Sequence, residues 1–308
     1  MRRIFTRLEN SILSRNYWLL KRIKYGRYRK QHAHDKFPLI IYQMGKVGSS
    51  TIVNSLKNLS LNYTVYQVHV LTDEWISRVH GQYKRASRIH GRPMLDTHLL
   101  ASMYLREKLD GGHGERKWKV ISLVRDPVAR NISCFFQAFP VYFPGCPADM
   151  LSDGERVGEL VDLFMEKFEE HETPLEWFDT HMKPVFGIDV FAEPFPWEKG
   201  YKIYEGDEAD LLVMRLEDLD ACAARAFREF IGVDGFRMTP DNVSGGKQYA
   251  EMYRLFRRQA VIPRAMLEKM YGSRYMTHFY SREEIGRFVD KWTSSAMAET
   301  KPGGGGHG

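Results

Sequence analysis

The apolar run Phe37-Pro38-Leu39-Ile40-Ile41-Tyr42-Gln43-Met44 breaks into Gly45-Lys46-Val47-Gly48-Ser49-Ser50-Thr51, and Ile52, Val53, Leu56 and Leu59 follow at helical spacing. A buried strand, a glycine turn and a helix in direct succession predict the first unit of a parallel α/β sheet. The turn has the parts of an anion cradle. Glycines let the backbone approach an oxyanion, successive N–H groups point inward, and the helix N-terminus adds partial positive charge. Lys46 supplies a full charge. A tight turn that merely needs glycine explains the same residues. The order is not that of a Walker A loop, because Lys46 precedes Gly48 and is followed by Val47 where a magnesium-binding hydroxyl would stand.

Further strands are expected at residues 63–70, 119–124 and 211–215. Helices are expected at 99–109, ending at Gly111-Gly112, then at 129–137, near 155–170 and at 220–231. Alternating strands and helices predict a mainly parallel sheet covered by helices on both faces. Seven prolines punctuate the aromatic-rich stretch 138–200, which reads as an insertion, and at least two helices follow residue 246. The organisation expected is an arm over 1–36, an α/β domain over 37–293 and a disordered Gly-rich tail over 294–308.

The chain has 308 residues, 43% hydrophobic and 27% charged, which excludes collagen-like and disordered classes. Its three cysteines, Cys134, Cys146 and Cys222, have no CxxC spacing, so a disulfide scaffold is not expected and a reducing, cytoplasmic compartment is. The net charge of +6 resides in the arm, where residues 1–36 hold eleven Lys or Arg and two acidic residues; the body is net acidic. Such a helix could lie on the anionic inner face of a membrane or pack on the domain with its charges solvated. No recognisable nucleic-acid motif is present, and no nucleic-acid partner is expected.

Arg125-Asp126-Pro127 ends the third strand, with Ser133 eight residues further on in the next helix. Arginine and serine so placed could converge on one phosphate. An Arg–Asp turn pair and a serine bonded to its own helix are the alternative. Together with the first loop and with Leu211–Leu219 (LLVMRLEDL), this pattern resembles the sulfotransferase superfamily that uses 3′-phosphoadenosine 5′-phosphosulfate, PAPS. In that superfamily the third segment often reads R-Y-E-D-L; Leu216 stands here for the tyrosine. Lys247-Gln248-Tyr249, Tyr253, His278–Ser281, Glu283–Ile285 and Lys291-Trp292 resemble a bacterial capsular polysaccharide synthesis family of sulfotransferase-like character. Gln248 replaces the aromatic residue of that family's K-W-Y segment. The resemblance covers roughly 37–293.

The resemblance implies a P-loop-NTPase-like fold and sulfuryl transfer from PAPS to a hydroxyl of a glycan or other acceptor, with PAP as product. It implies that Gly45, Lys46, Val47, Gly48, Ser49, Ser50 and Thr51 hold the 5′-phosphosulfate and that Arg125 and Ser133 hold the 3′-phosphate, with Lys247 closing over the nucleotide. Lys46 would stabilise the leaving phosphate, and no metal is expected. The acceptor needs a base. His69 falls at the end of the second strand, and His98, after Asp96-Thr97, resembles the histidine-bearing segment of heparan 2-O-sulfotransferases. Asp96, Asp73 and Glu74 are the acidic candidates. Trp177, Phe178, Trp197 and Tyr201, with Lys183 or His181, either shape an acceptor pocket or form a local core. Two other functions stay open: a nucleotide or sugar kinase, and a non-catalytic protein that binds polysaccharide or membrane.

Overall fold

A computed structural model describes residues 16–57, 59–91, 94–112, 116–147, 150–168, 171–239 and 249–297. The chain enters through α1 (Tyr17–Gln31) and then alternates β1 (Pro38–Tyr42), α2 (Ser49–Lys57), β2 (Thr64–Val68), α3 (Asp73–His90), α4 (Thr97–Asp110), β3 (Trp118–Val124) and α5 (Pro127–Tyr142). Short helices α6 (Val157–Asp162), α7 (Thr173–Trp177) and α8 (Lys183–Phe186) lead to β4 (Tyr201–Glu205) and β5 (Ala209–Arg215). The chain finishes with α9 (Leu219–Ile231), α10 (Ala250–Gln259), α11 (Arg264–Tyr271), α12 (Arg274–Phe279) and α13 (Arg282–Met297).

The five strands form one sheet in the order β2-β1-β3-β5-β4, parallel except for the β4–β5 pair, and flanked by helices. Every residue of β1 is buried, as a strand covered on both faces requires. Burying each large aliphatic side chain contributes about 1.5–3 kcal/mol. One apolar cluster runs from Leu39 to Trp292 and takes in residues of the 138–200 stretch, including Phe164, Trp177 and Phe186. Because four strands are parallel, the Gly45 loop, His69, Arg125 and Leu216 all follow strand C-termini on one edge of the sheet. Ligands of open α/β sheets bind at this edge, where the strand order reverses between β1 and its two neighbours.

Besides the short helices α7 and α8, two further elements escape the sequence reading. One is β4. The other is α3, eighteen residues long, whose local signals are nonetheless complete: Thr72 accepts from the Trp75 amide at 3.4 Å, Asp73 and Glu74 occupy the first turn, and Gly91 ends the helix at φ +60°. Helix α5 runs past the expected stop at 137, carrying Pro140 in its last turn. The expected tail also starts too early, since α13 continues to Met297.

In α1, Tyr17 and Leu20 are buried, while Trp18 is 65% exposed and Ile23 is also exposed, with Arg22 5.5 Å from the Trp18 ring. No described helix is long and apolar enough to cross a membrane. Residues 1–15, the loop carrying Lys247, and residues 298–308 lie outside the described residues.

The C-terminal helices hold the Arg125 turn from behind. Buried Asp126 caps α5 through the amides of Val128 and Ala129. It also accepts from Tyr271 Oη at 2.8 Å and Trp292 Nε1 at 3.0 Å. Glu217 accepts from the Asp126 amide at 3.0 Å and from Tyr280 Oη at 2.9 Å, and burial raises its carboxyl above the usual range. The Tyr275 hydroxyl accepts from the Arg125 amide and donates to the Arg125 carbonyl, both at 2.9 Å. A buried donor left without a partner costs roughly 1–3 kcal/mol. Tyr275→Phe should therefore lower stability by about that amount, read as a lower urea midpoint at unchanged m-value; an unchanged midpoint would remove Tyr275 from this role.

Candidate functional site

A cavity of about 460 Å³ opens at the C-terminal edge of the sheet, and both loops line it. They touch directly: Arg125 Nη1 donates to the Lys46 carbonyl at 2.8 Å, and Arg130 Nε donates to the Gly45 carbonyl at 3.0 Å. Lys46 is held in left-handed backbone at φ +74°, a conformation that a residue with a side chain adopts only at a cost. Gly48 follows at φ +90°, and a Cβ there would collide with Leu216 Cδ1. Leu216, standing where the resembled segment has tyrosine, thus packs on the bare glycine and lines the same cavity.

Gly45, Lys46, Gly48, Ser49, Ser50, Thr51, Arg125 and Ser133 all line the cavity. Val47 is the exception. Its side chain is fully buried in the core and offers the cavity only backbone. Ser49 accepts from Gln67 Nε2 at 2.6 Å, and Lys46 Nζ donates to Gln137. Neither local alternative for the second motif holds. Arg125 does not ion-pair with Asp126, whose carboxylate serves the α5 amides and the C-terminal helices. Among the described residues, the Ser133 hydroxyl has no hydrogen-bond partner in its own helix.

Arg130 was missed by the sequence reading. It is 3% exposed, its guanidinium donates to the Gly45 carbonyl and to Asn131 Oδ1, and among the described residues no carboxylate pairs with it. A buried guanidinium without a counter-charge is costly unless an anion arrives. The missed signal was periodicity: Arg130, Ser133 and Gln137 recur at i, i+3 and i+7, one stripe of α5 facing the cavity. Among the described residues, the charged side chains lining the cavity are Lys46, Arg78, Arg125 and Arg130 against Asp96.

Both histidines line this cavity, with ring centroids 5.0 Å apart. His98 Nδ1 lies 2.9 Å from the Gln67 carbonyl, and His69 Nδ1 lies 3.0 Å from the Gln43 carbonyl. A carbonyl only accepts, so Nδ1 carries the proton in each neutral ring and Nε2 keeps its lone pair. Burial, reinforced by the neighbouring His98, pushes His69 down to about 4. Asp96 lines the cavity and caps α4 through the His98 amide at 2.9 Å. Asp73 and Glu74 do not reach it; they are exposed in the first turn of α3.

The expected acceptor wall needs correction. Phe178 and Tyr201 are core residues, Trp197 is exposed and donates to the His278 carbonyl at 2.7 Å, and Lys183 pairs with Asp189 at 2.7 Å. Only Trp177 and His181 of that set line the cavity. Phe178 and Tyr201 pack into the core, because their area is worth more against buried neighbours than exposed. The outer wall comes instead from α3.

The fold and site define an α/β protein with a cavity lined by cationic side chains at the strand C-termini. Residues 156–281 match the model of the family NKWYS, described as "Putative capsular polysaccharide synthesis protein". The matched segment includes Leu216 of the cavity and the Glu217, Tyr271, Tyr275 and Tyr280 supports, while the Lys46 and Arg125 loops precede it. No curated protein and no solved structure matches the chain.

His181 is buried with Nδ1 unpartnered, and desolvation, with Arg130 nearby, lowers it to about 4, as burial does for His69. Unfolding returns both to about 6.5, so the unfolded chain binds more protons between roughly pH 6.5 and 4. Stability should fall as pH drops through that window. His181→Phe should flatten the fall, measured as urea midpoints at pH 7 and pH 4.5; an unaltered slope would show that His181 is not among the groups responsible.

Proposed function

We propose that this protein transfers a sulfuryl group from PAPS to a hydroxyl acceptor, on a P-loop-like anion site. The observation that supports it most is the convergence of Lys46, Arg125 and Arg130 in one cavity, with two directly bonded loops and two histidines alongside. A nucleotide with phosphate groups at both ends fits two cation clusters separated by the width of neighbouring strands. The residues present fit such a ligand: Arg125 and Arg130, without carboxylate partners among the described residues, the Ser133 hydroxyl and a glycine turn at the cavity.

PAPS, when bound, supplies an activated sulfuryl group on a phosphate leaving group. Lys46 and the amides around Gly48 to Thr51 hold the phosphosulfate end and stabilise charge on the departing phosphate oxygen. Arg125, Arg130 and Ser133 hold the other phosphate. His98 Nε2 takes the proton of the acceptor hydroxyl as the acceptor oxygen bonds sulfur and the sulfur–oxygen bond to the phosphate breaks, its electron pair leaving with that oxygen. His69, held neutral by burial, avoids a second positive charge beside that base. Val47, turned into the core beside the lysine, argues against the magnesium-dependent kinase. The acceptor follows the family description: a polysaccharide or its precursor.

Calorimetry with PAP tests the donor. Arg125→Ala should weaken PAP roughly 10- to 100-fold, as expected for one charge-assisted contact, and should weaken an analogue lacking the 3′-phosphate far less. No heat with PAP, or equal losses for both ligands, would overturn the reading. Lys46→Ala should lower turnover of labelled PAPS on the order of 10²- to 10³-fold while sparing much of the PAP affinity. Labelled ATP with magnesium is the kinase control.

The proposal extends to an anionic membrane surface for α1, because basic residues there surround exposed Trp18 and Ile23. Trp18→Ala should reduce co-sedimentation with phosphatidylserine-containing vesicles several-fold at low salt. Equal sedimentation of both forms would refute it.

A further inference from the structure

Helix α3 turns one stripe toward the cavity: Trp75, Arg78, Val79, Gln82 and Tyr83, at the i, i+3/i+4, i+7/i+8 spacing of a single helical face. The stripe lies beside the histidines. It carries a cation, an amide and a phenol, chemistry suited to the hydroxyls and anionic substituent of a sugar. We propose that this face of α3 is the acceptor subsite and that it selects a saccharide ring bearing a carboxylate, which Arg78 recognises. The proposal deepens the sulfuryl-transfer reading and rests on it for the word acceptor, though not for the binding of sugar.

Three observations support it. First, Arg78 is placed by an aromatic plate. Its guanidinium carbon is 4.7 Å from the Trp75 ring centroid, and Trp75 packs against His181 at 4.6 Å, which in turn stacks on Trp177 at 5.7 Å. A guanidinium lying on an indole keeps the donor geometry of its edge and loses less freedom on meeting a carboxylate. Second, the stripe is joined to the base by a short relay. Tyr83 Oη donates to Asp96 Oδ2 at 3.1 Å, and Asp96 Oδ1 accepts from the His98 amide at 2.9 Å. A ring held by Arg78 and Gln82 is thereby fixed relative to His98 Nε2, which is the positioning that transfer to a single hydroxyl requires. Third, the cations divide by place. Lys46, Arg125 and Arg130 sit on the two loops and α5, whereas Arg78 stands apart on α3, at the cavity rim.

The test is direct binding, without the donor. Oligosaccharides of equal length, one uronate-containing and one neutral, are titrated into the full-length protein by calorimetry and by saturation-transfer NMR, with PAP titrated separately. The acidic oligosaccharide should bind at least tenfold more tightly at low salt. Arg78→Gln should erase that preference, Arg78→Lys should retain part of it, and neither should alter PAP affinity by more than about twofold. Equal binding of the two sugars, no binding of either, or a preference that survives Arg78→Gln overturns the proposal. Circular dichroism checks folding of each variant, and Gln82→Ala, expected to weaken both sugars alike, gives an independent second variant. Sugar selectivity without PAP binding would discard sulfuryl transfer and leave the subsite. PAP binding without selectivity would discard the subsite alone.

Discussion

The hydrogen bond from Arg125 to the Lys46 carbonyl fixes the spacing on which the whole site depends. It runs between the ends of adjacent strands and locks two loops that would otherwise each be an unremarkable turn. The surrounding structure over-determines the arrangement. Left-handed backbone at Lys46, a glycine pressed against Leu216, and a second arginine on the Gly45 carbonyl all bear on the same few residues. Strain of this kind concentrates where a ligand is to be held.

The support comes from far along the chain. Asp126 and Glu217 gather Tyr271, Tyr280 and Trp292 beneath the turn, and Tyr275 grips both backbone groups of Arg125. This division explains why the family match falls where it does. The matched segment contains most of these props and little of the cavity lining, so what it specifies first is a platform. The Gly45 and Arg125 loops are then placed on that platform by β1 and β3.

The sheet was legible in the sequence because β1, β3 and β5, buried parallel strands, are short apolar runs, and the edge strand β2 alternates. The two cavity loops were legible because glycine and Arg-Asp-Pro are local signals. Helix α3 was overlooked although its cap and first turn are well formed; its apolar stripe is narrow, diluted by Arg78, Gln82 and Lys84. Arg130 was overlooked for a different reason: its stripe with Ser133 and Gln137 was readable, but its burial was not. Nothing in sequence separates an arginine on a solvated face from one buried beside a loop carbonyl, since burial is set by elements remote in the chain. The aromatic stretch misled in the opposite sense, because rings that suit sugars also suit cores, and only packing tells them apart.

The lone reversed strand has its own consequence. β4 closes one margin of the sheet and carries Lys202 and Glu205, with Lys202 tethered to Glu193. Charges on a bordering strand discourage another chain from adding itself there. On that side the molecule is sealed against lateral growth, while the opposite rim of the sheet, around His69, stays next to the cavity.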